Sequence, residues 1–386
     1  MKTPAFLFQH RTVIDFGAGS LSRLGDHVRG LEASRVLVVC DPGIVEAGIA
    51  ERAERALSGA SLHVRLFSAV TANPRDEDCQ AAAAAARDHD AGCIVGVGGG
   101  SALDTAKAAA ALVVNGGAVK DWEDPRRLDR PPLPTVCVPT TAGTGSEVTF
   151  VAVITDERER YEMTLLDPRL APNVAVLDPE LALCLPPHLT AATGMDALTH
   201  AVEAYTGRAA NPLSDTLAVR AAELVRRHLE RAVACGDDRD ARSGMLLGSL
   251  LAGMAFGNSD VGAVHCMGET LGGLYDTPHG VACAVFLPVV FAFNMQADPQ
   301  RQAAVARALG VDRELEDEVA AAAGAVELRR LAESVGIPRL RDLPEVSPDD
   351  FPALARGSAS HVCSPDNARE ITENDYLALF ARAWGQ

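Results

Sequence analysis

From Arg35 to about Asp178 the chain alternates short, β-branched apolar runs with stretches of helical periodicity. Residues 36–39, 63–67, 93–97 and 135–138 read as buried strands, and residues 46–57, 76–88 and a segment opening at Ser101 read as helices. Such alternation predicts a doubly wound α/β half on a largely parallel sheet. The alanine run 81–86 falls inside a helical pattern and reads as a packed helix, not a linker.

Past Leu177-Asp178-Pro179 the strand signals almost stop. Pro186-Pro187 marks a boundary, and residues 193–205, 215–232, 241–256 and 302–308 read as helices. A chain of 386 residues exceeds what one hydrophobic core usually supports. Two domains are therefore expected: an α/β domain over 1–185 and an all-α domain over 186–386. No internal repeat at solenoid spacing is present.

Composition narrows the partners. The formal charge of −17 sets up a field that repels phosphate polyanions and acidic membrane surfaces, and the 4% aromatic share offers few platforms for stacking bases. Nucleic acid and membrane are thus not expected, whereas a small neutral alcohol or aldehyde meets no barrier. Nine cysteines, an odd number with no C-x-x-C pair, fit reduced thiols better than a disulfide framework. The amino terminus lacks a signal-peptide core, and the apolar stretch 283–293 is short and interrupted by Pro288. The expectation is a soluble cytoplasmic protein.

Two turns carry candidate chemistry. Gly98-Gly99-Gly100-Ser101 follows the strand 93–97 and opens a helix, an arrangement suited to a dinucleotide pyrophosphate. Alone it could be a tight connection, since its spacing is neither G-x-G-x-x-G nor a P-loop. The second turn, residues 139–147, interleaves Thr140, Thr141, Thr144 and Ser146 with glycines directly after the strand 135–138. Hydroxyls and amides after two strands favour ligand binding over two structural turns. Asp41 ends the first strand of this half, where it either accepts from an adenosine ribose or simply starts the turn Asp41-Pro42-Gly43.

The helical half holds a different constellation. Asp196 and His200 are four residues apart and share a helix face, while His265 and His279 follow in glycine-rich segments. One oxygen and three nitrogen donors, with no thiolate among them, suit Fe2+ or Zn2+ alike. The competing reading makes Asp196 a helix ion-pair partner.

The segments GVGGGSALDTAK, PTTAGTGSEVT, LDPELALCLPP, ATGMDALTHAVEAY and LYDTPHGVACAVFLP, in this order, resemble the iron-containing (group III) alcohol dehydrogenases over nearly the whole chain. Within the family the pattern looks most like the lactaldehyde reductase and 1,2-propanediol oxidoreductase branch. The resemblance implies a dehydroquinate synthase-like architecture, with an amino-terminal dinucleotide-binding domain, an all-helical metal domain and a homodimer. It implies Fe2+, with Zn2+ as the other candidate, and NAD(H) in preference to NADP(H). Asp196, His200, His265 and His279 match the family's metal ligands. Asp41, Asn73, Gly98, Gly99, Gly100, Ser101, Asp104, Thr140, Thr141, Thr144 and Thr149 match its nucleotide-contacting positions. Val151, Phe256 and Cys363 fall where relatives line the substrate pocket, and with His265 and Glu269 they make up the expected catalytic surroundings.

Two positions depart from the family pattern. Glu269 stands where many members have a second histidine that assists proton transfer, and Glu162 replaces a lysine that contacts cofactor. Glu269 either relays the alcohol proton and disfavours anionic substrates, or faces solvent or a subunit. The expected reaction is reversible hydride transfer between a nicotinamide and a small primary alcohol or aldehyde, with the metal as Lewis acid. A dehydroquinate-synthase-like lyase on the same fold needs a basic pocket for a phosphorylated substrate and is disfavoured, because residues 196–279 contain no lysine and show only Arg208, Arg220 and a cluster between Arg226 and Arg242. A non-catalytic metal- and nucleotide-binding protein is the remaining alternative.

Overall fold

The structure, a computed structural model, describes residues 5–159 and 161–386. Contacts divide the chain between Leu185 and Pro186 into an α/β unit, His10–Leu185, and a helical unit, Pro186–Gln386. The segment ending at Gln9 groups with the helical unit, where Gln9 N donates to Asn258 Oδ1 at 2.6 Å and Asn258 Nδ2 donates back to Gln9 O at 3.1 Å.

In the α/β unit, β1 (Val13–Phe16), β2 (Arg35–Val39), β3 (His63–Phe67), β4 (Cys93–Gly98) and β5 (Thr135–Pro139) are followed by β6 (Val151–Asp156), β7 (Tyr161–Leu166) and β8 (Val174–Leu177). Six strands form one sheet in the order β1-β8-β5-β4-β2-β3, and every neighbouring pair is parallel. The helices are α1 (Leu24–Gly30), α2 (Pro42–Glu46), α3 (Ile49–Gly59), α4 (Asp76–Asp88) and α5 (Gly100–Asn115).

Alternation along the strands feeds two separate cores. Val36, Val38, Val95, Val97, Val136 and Val138 pack on one face with Leu24, Ala53 and Leu57. Leu37, Val39 and Ile94 pack on the other with Ala82, Ala83 and Ala86 of α4 and the alanines of α5. The alanine run is thus a tightly packed helix, because side chains that small let α4 and α5 approach each other closely. Residues 46–57 are not one helix as expected: α2 ends at Glu46, and Gly48 at φ 71° separates it from α3. The antiparallel pair β6–β7 was not expected, and its inward residues Ala152, Ile154, Met163 and Leu165 extend the α4–α5 core.

In the helical unit, α6 (Pro187–Thr206), α7 (Pro212–Ala234), α8 (Arg239–Phe256), α9 (Ala263–Tyr275) and α10 (His279–Asn294) precede α11 (Pro299–Ala308), α12 (Asp317–Ser334), α13 (Phe351–Ser360) and α14 (Glu373–Trp384). Pro187 starts α6 at a first-turn position where its missing N–H costs nothing. Asn211 caps α7 by accepting from Leu213 N and Ser214 N, and Asp238 caps α8 by accepting from Ala241 N. Pro288 does not end the apolar stretch 283–293, which lies inside α10 with Leu287, Val289, Val290 and Phe291 all buried. Among the described residues no helix is long and apolar enough to cross a membrane.

Candidate metal and nucleotide sites

Helix α6 presents Asp196, His200 and Glu203 at positions i, i+4 and i+7, all buried. The ring of His200 stacks on Phe256 at 4.1 Å and on His265 at 4.6 Å between centroids, and its Nδ1 lies 3.9 Å from Asp196 Oδ2. His265, in the first turn of α9, brings Nε2 to 3.9 Å from Asp196 Oδ1. His279, at the start of α10, brings Nε2 to 3.6 Å from the same oxygen.

The close approach of α10 to α6 depends on Gly280. A Cβ there would fall on the carbonyl oxygen of Ala192 and lie 3.4 Å from Asp196 Cβ. No other residue type lets His279 approach Asp196 in this way.

Burial makes these donors informative. Asp196 Oδ1 and His265 Nε2 have no hydrogen-bond partner among the described residues, although each residue is only 2% exposed. A buried polar atom left unpaired costs about 1–3 kcal/mol, so two converging ones call for a ligand. Asp196, His265, His279 and Cys283 each place a ligand atom so that all four lie within 4.8 Å of one another. The donor chemistry fits a divalent transition metal. Three of the four residues read from the sequence, Asp196, His265 and His279, fall in this set together with Cys283, a thiol absent from that reading, while His200 lies beside the set, stacked on His265.

Glu203 was missed as well. Its Oε2 accepts from His265 Nδ1 at 2.5 Å and its Oε1 accepts from Val264 N at 2.7 Å. A carboxylate on Nδ1 fixes the histidine tautomer that leaves Nε2 free to donate to a metal. The available signal was its spacing, one further turn along the face that carries Asp196 and His200.

Glu269 neither faces solvent nor stands alone: it is buried, and its Oε2 lies 2.8 Å from His361 Nε2. Burial works against the ionised carboxyl, but the facing His361 imidazole, together with His279 and His265, outweighs it and holds Glu269 down at about 2. Burial likewise opposes the His361 cation, yet Glu269 raises that imidazole well above its ordinary value. The pairing offsets most of the charge that would repel an anion. Cys363 is half-buried, with its Sγ 3.4 Å from Asp260 Oδ1.

In the α/β unit, β3 lies on one side of β2 and β4 on the other, so the strand order reverses between β2 and β4. Crevices at such reversals, beyond the carboxyl ends of the strands, bind ligands in open α/β sheets. Asp41 lies two residues beyond β2, not at its end as expected, and Gly98 ends β4, so both flank this point. Asp41 caps α2, with Oδ1 accepting from Ile44 N at 3.1 Å, while its Oδ2 faces Gly98. Gly98 has φ 149°, a conformation that L side chains rarely adopt, and a Cβ there would meet Ala102 at 2.9 Å.

The two polar turns meet directly. Thr140 N donates to Gly98 O at 2.9 Å, Thr141 packs on Gly99, and Thr144 packs on Gly100. Ser101 lies in the first turn of α5, whose exposed amides suit an anion. Thr149 is buried after this turn, and Asn73 takes a left-handed φ of 51° in the loop between β3 and α4. Asp104 is engaged within the chain: Ser146 Oγ donates to Oδ1 at 2.6 Å, Val153 N donates to Oδ2 at 3.1 Å, and the fully buried Lys107 pairs with it at 3.1 Å. Lys107 also donates to the carbonyls of Ser146 and Val151, tying β6 to the second turn. Glu162 lies on β7, opposite Thr155.

Comparison with known proteins places the chain in a family. Residues 12–179 match the family described as iron-containing alcohol dehydrogenase, and residues 190–384 match the Fe-containing alcohol dehydrogenase family, C-terminal. The chain is 37% identical to a choline dehydrogenase of Bacillus subtilis (strain 168) over 98% of its own length and 94% of that protein. The crystal structure of a 1,3-propanediol oxidoreductase superposes with a TM-score of 0.95 at 38% identity, covering 98% of this chain and 100% of the other. A sulfoacetaldehyde reductase from Bifidobacterium kashiwanohense, in complex with NAD+, superposes with a TM-score of 0.90 at 30% identity, covering 99% and 100%. A parallel α/β unit with a strand-order reversal at its glycine turn, a helical unit with converging metal donors, and matches across nearly the full length make this chain a member of the iron-containing alcohol dehydrogenase family, a metal-dependent alcohol dehydrogenase.

Proposed function

We propose that the protein interconverts a small primary alcohol and its aldehyde with NAD(H). The observation that carries this reading is the pair of buried, unpartnered atoms, Asp196 Oδ1 and His265 Nε2, converging with His279. Asp196, His200, His265 and His279 hold the metal in this reading. When bound, the metal supplies Lewis acidity to the substrate oxygen, lowering the alcohol pKa and stabilising charge on the aldehyde oxygen in reverse.

The chain's own groups do the positioning. Glu203 holds the His265 imidazole in one tautomer and orientation. Phe256, stacked on His200, gives the substrate an apolar wall, with Cys363 as further lining. The Gly98–Ser101 turn and Thr140, Thr141, Thr144 and Thr149 receive the dinucleotide, with Asn73 as a further contact to it. Asp104 braces that turn through Ser146 and Lys107. Asp41 Oδ2 accepts from the ribose hydroxyls, which favours NAD(H) over NADP(H).

The nine cysteines are all free thiols, which supports a reducing, cytoplasmic setting. A homodimer is supported by β1, an edge strand with no second neighbour among the described residues and with Val13 58% exposed. Loss of reduced-nicotinamide absorbance upon adding short aldehydes, with Fe2+ or Zn2+ supplied, tests the reaction. No change with any short aldehyde under either metal overturns it. Light scattering of the purified chain tests the dimer.

A further inference from the structure

Cys283 stands one helical turn after His279 on α10, fully buried, with Sγ 3.6 Å from His279 Nε2. Its sulfur belongs to a set of donor atoms that all lie within 4.8 Å of one another, together with Asp196, His265 and His279. Two members of that set, Asp196 and His265, bring buried atoms with no other partner among the described residues. The sulfur is held in place by packing, since it lies 3.0 Å from where a Cβ on Gly268 would stand. None of these features is needed for a buried apolar cysteine, which would sit among aliphatic side chains and not against an imidazole and a carboxylate.

We propose that Cys283 is an additional donor of the metal centre, and that its sulfur biases the centre towards Zn2+ over Fe2+. The proposal rests on the assignment of Asp196, His265 and His279 as ligands. Thiolate is a soft donor, and adding it to imidazole and carboxylate favours zinc or cobalt over ferrous iron. Coordination forms a sulfur–metal bond, and the thiol proton leaves to solvent, so no electrons are transferred. The metal the centre holds is then decided in part by a residue on α10 outside the aspartate and three histidines.

The test uses the full-length protein, stripped of metal with a chelator and reloaded with Co2+. The parent is expected to show visible cobalt bands together with near-ultraviolet sulfur-to-cobalt charge transfer. In Cys283→Ser the charge transfer should vanish while cobalt stays bound. Zinc-over-iron selectivity, measured by anaerobic competition, should fall in the variant, because the soft donor that favours zinc is gone. Cys283→Ala serves as a second variant with less packing risk from a buried hydroxyl. Bound cobalt without charge transfer in the parent, or charge transfer that persists in Cys283→Ser, overturns the proposal and leaves the aspartate and histidine assignment standing. Failure of the parent to retain cobalt overturns both.

Discussion

Glu203 Oε2 lies 2.5 Å from His265 Nδ1, so a carboxylate on α6 orients the imidazole that starts α9. The same side chain accepts from Val264 N, which fixes the first turn of α9 against α6. Glu203→Gln keeps the size of the side chain but removes the charge that favours one His265 tautomer. Metal affinity, measured against a competing chelator, is expected to fall on the order of 10- to 100-fold, with the helical circular dichroism unchanged. Parent-like affinity in this variant would show that the contact only packs the two helices.

His200→Ala and His279→Ala should each lose metal on gel filtration, and turnover should fall with it, because each opens the donor set. The same change at His10 or His63, both exposed, is the control and should leave metal content and rate unchanged. Gly280→Ala should behave like His279→Ala, since its Cβ falls on Ala192 O and pushes His279 away from Asp196. Full metal content in either histidine variant removes that residue from the ligand set.

The buried Glu269–His361 pair gives a prediction about pH. Glu269 is held near 2, below its ordinary 4.5, so its stabilising share is present above 4.5 and lost as pH falls towards 2. His361 is raised from 6.5, so its share is complete below 6.5 and fades as pH rises above it. Both shares are complete only between 4.5 and 6.5. Glu269→Gln should therefore destabilise the metal-free protein most in that window, by about 3 kcal/mol as for a broken buried pair. A stability difference that does not vary with pH would contradict the ion pair.

Asp41 tests cofactor choice. Replacing this helix cap by glycine costs only a few tenths of a kcal/mol, while it removes the carboxylate beside Gly98. The ratio of kcat/KM with NADP(H) to that with NAD(H) should rise in Asp41→Gly. An unchanged ratio would confine Asp41 to capping α2.

Glu147 is 2% exposed in the turn between β5 and β6, and burial pushes its carboxyl up to about 7. Between 4.5 and 7 the folded chain thus binds more protons than the unfolded chain, and stability falls as pH rises through that window. Glu147→Gln should remove this slope and leave the variant more stable than the parent above pH 7, by up to about 3 kcal/mol. Parallel melting curves at every pH would contradict the raised value.

Local chemistry made much of this protein legible in its sequence. Strand and helix periodicities located β2–β5 and α4 because each of those elements satisfies its own backbone and buries one recognisable face. The glycine turn after β4 was legible because φ 149° at Gly98 and a close neighbouring turn leave little choice of residue. Asp196 and His200 could be paired because four residues make one helical turn. The β6–β7 pair, Glu203 on His265, His361 on Glu269 and Cys283 beside His279 escaped that reading. All but the strand pair and Cys283 join residues 62 or 92 positions apart, and packing alone brings such residues together. Cys283 is local to His279, but only the approach of α10 to α6, permitted by Gly280, carries its sulfur to the carboxylate of Asp196. Sequence spacing set which donors share a turn; the crossing of helices decided which of them meet at one point, because convergence depends on side-chain volume at the contact and not on the order of residues along the chain.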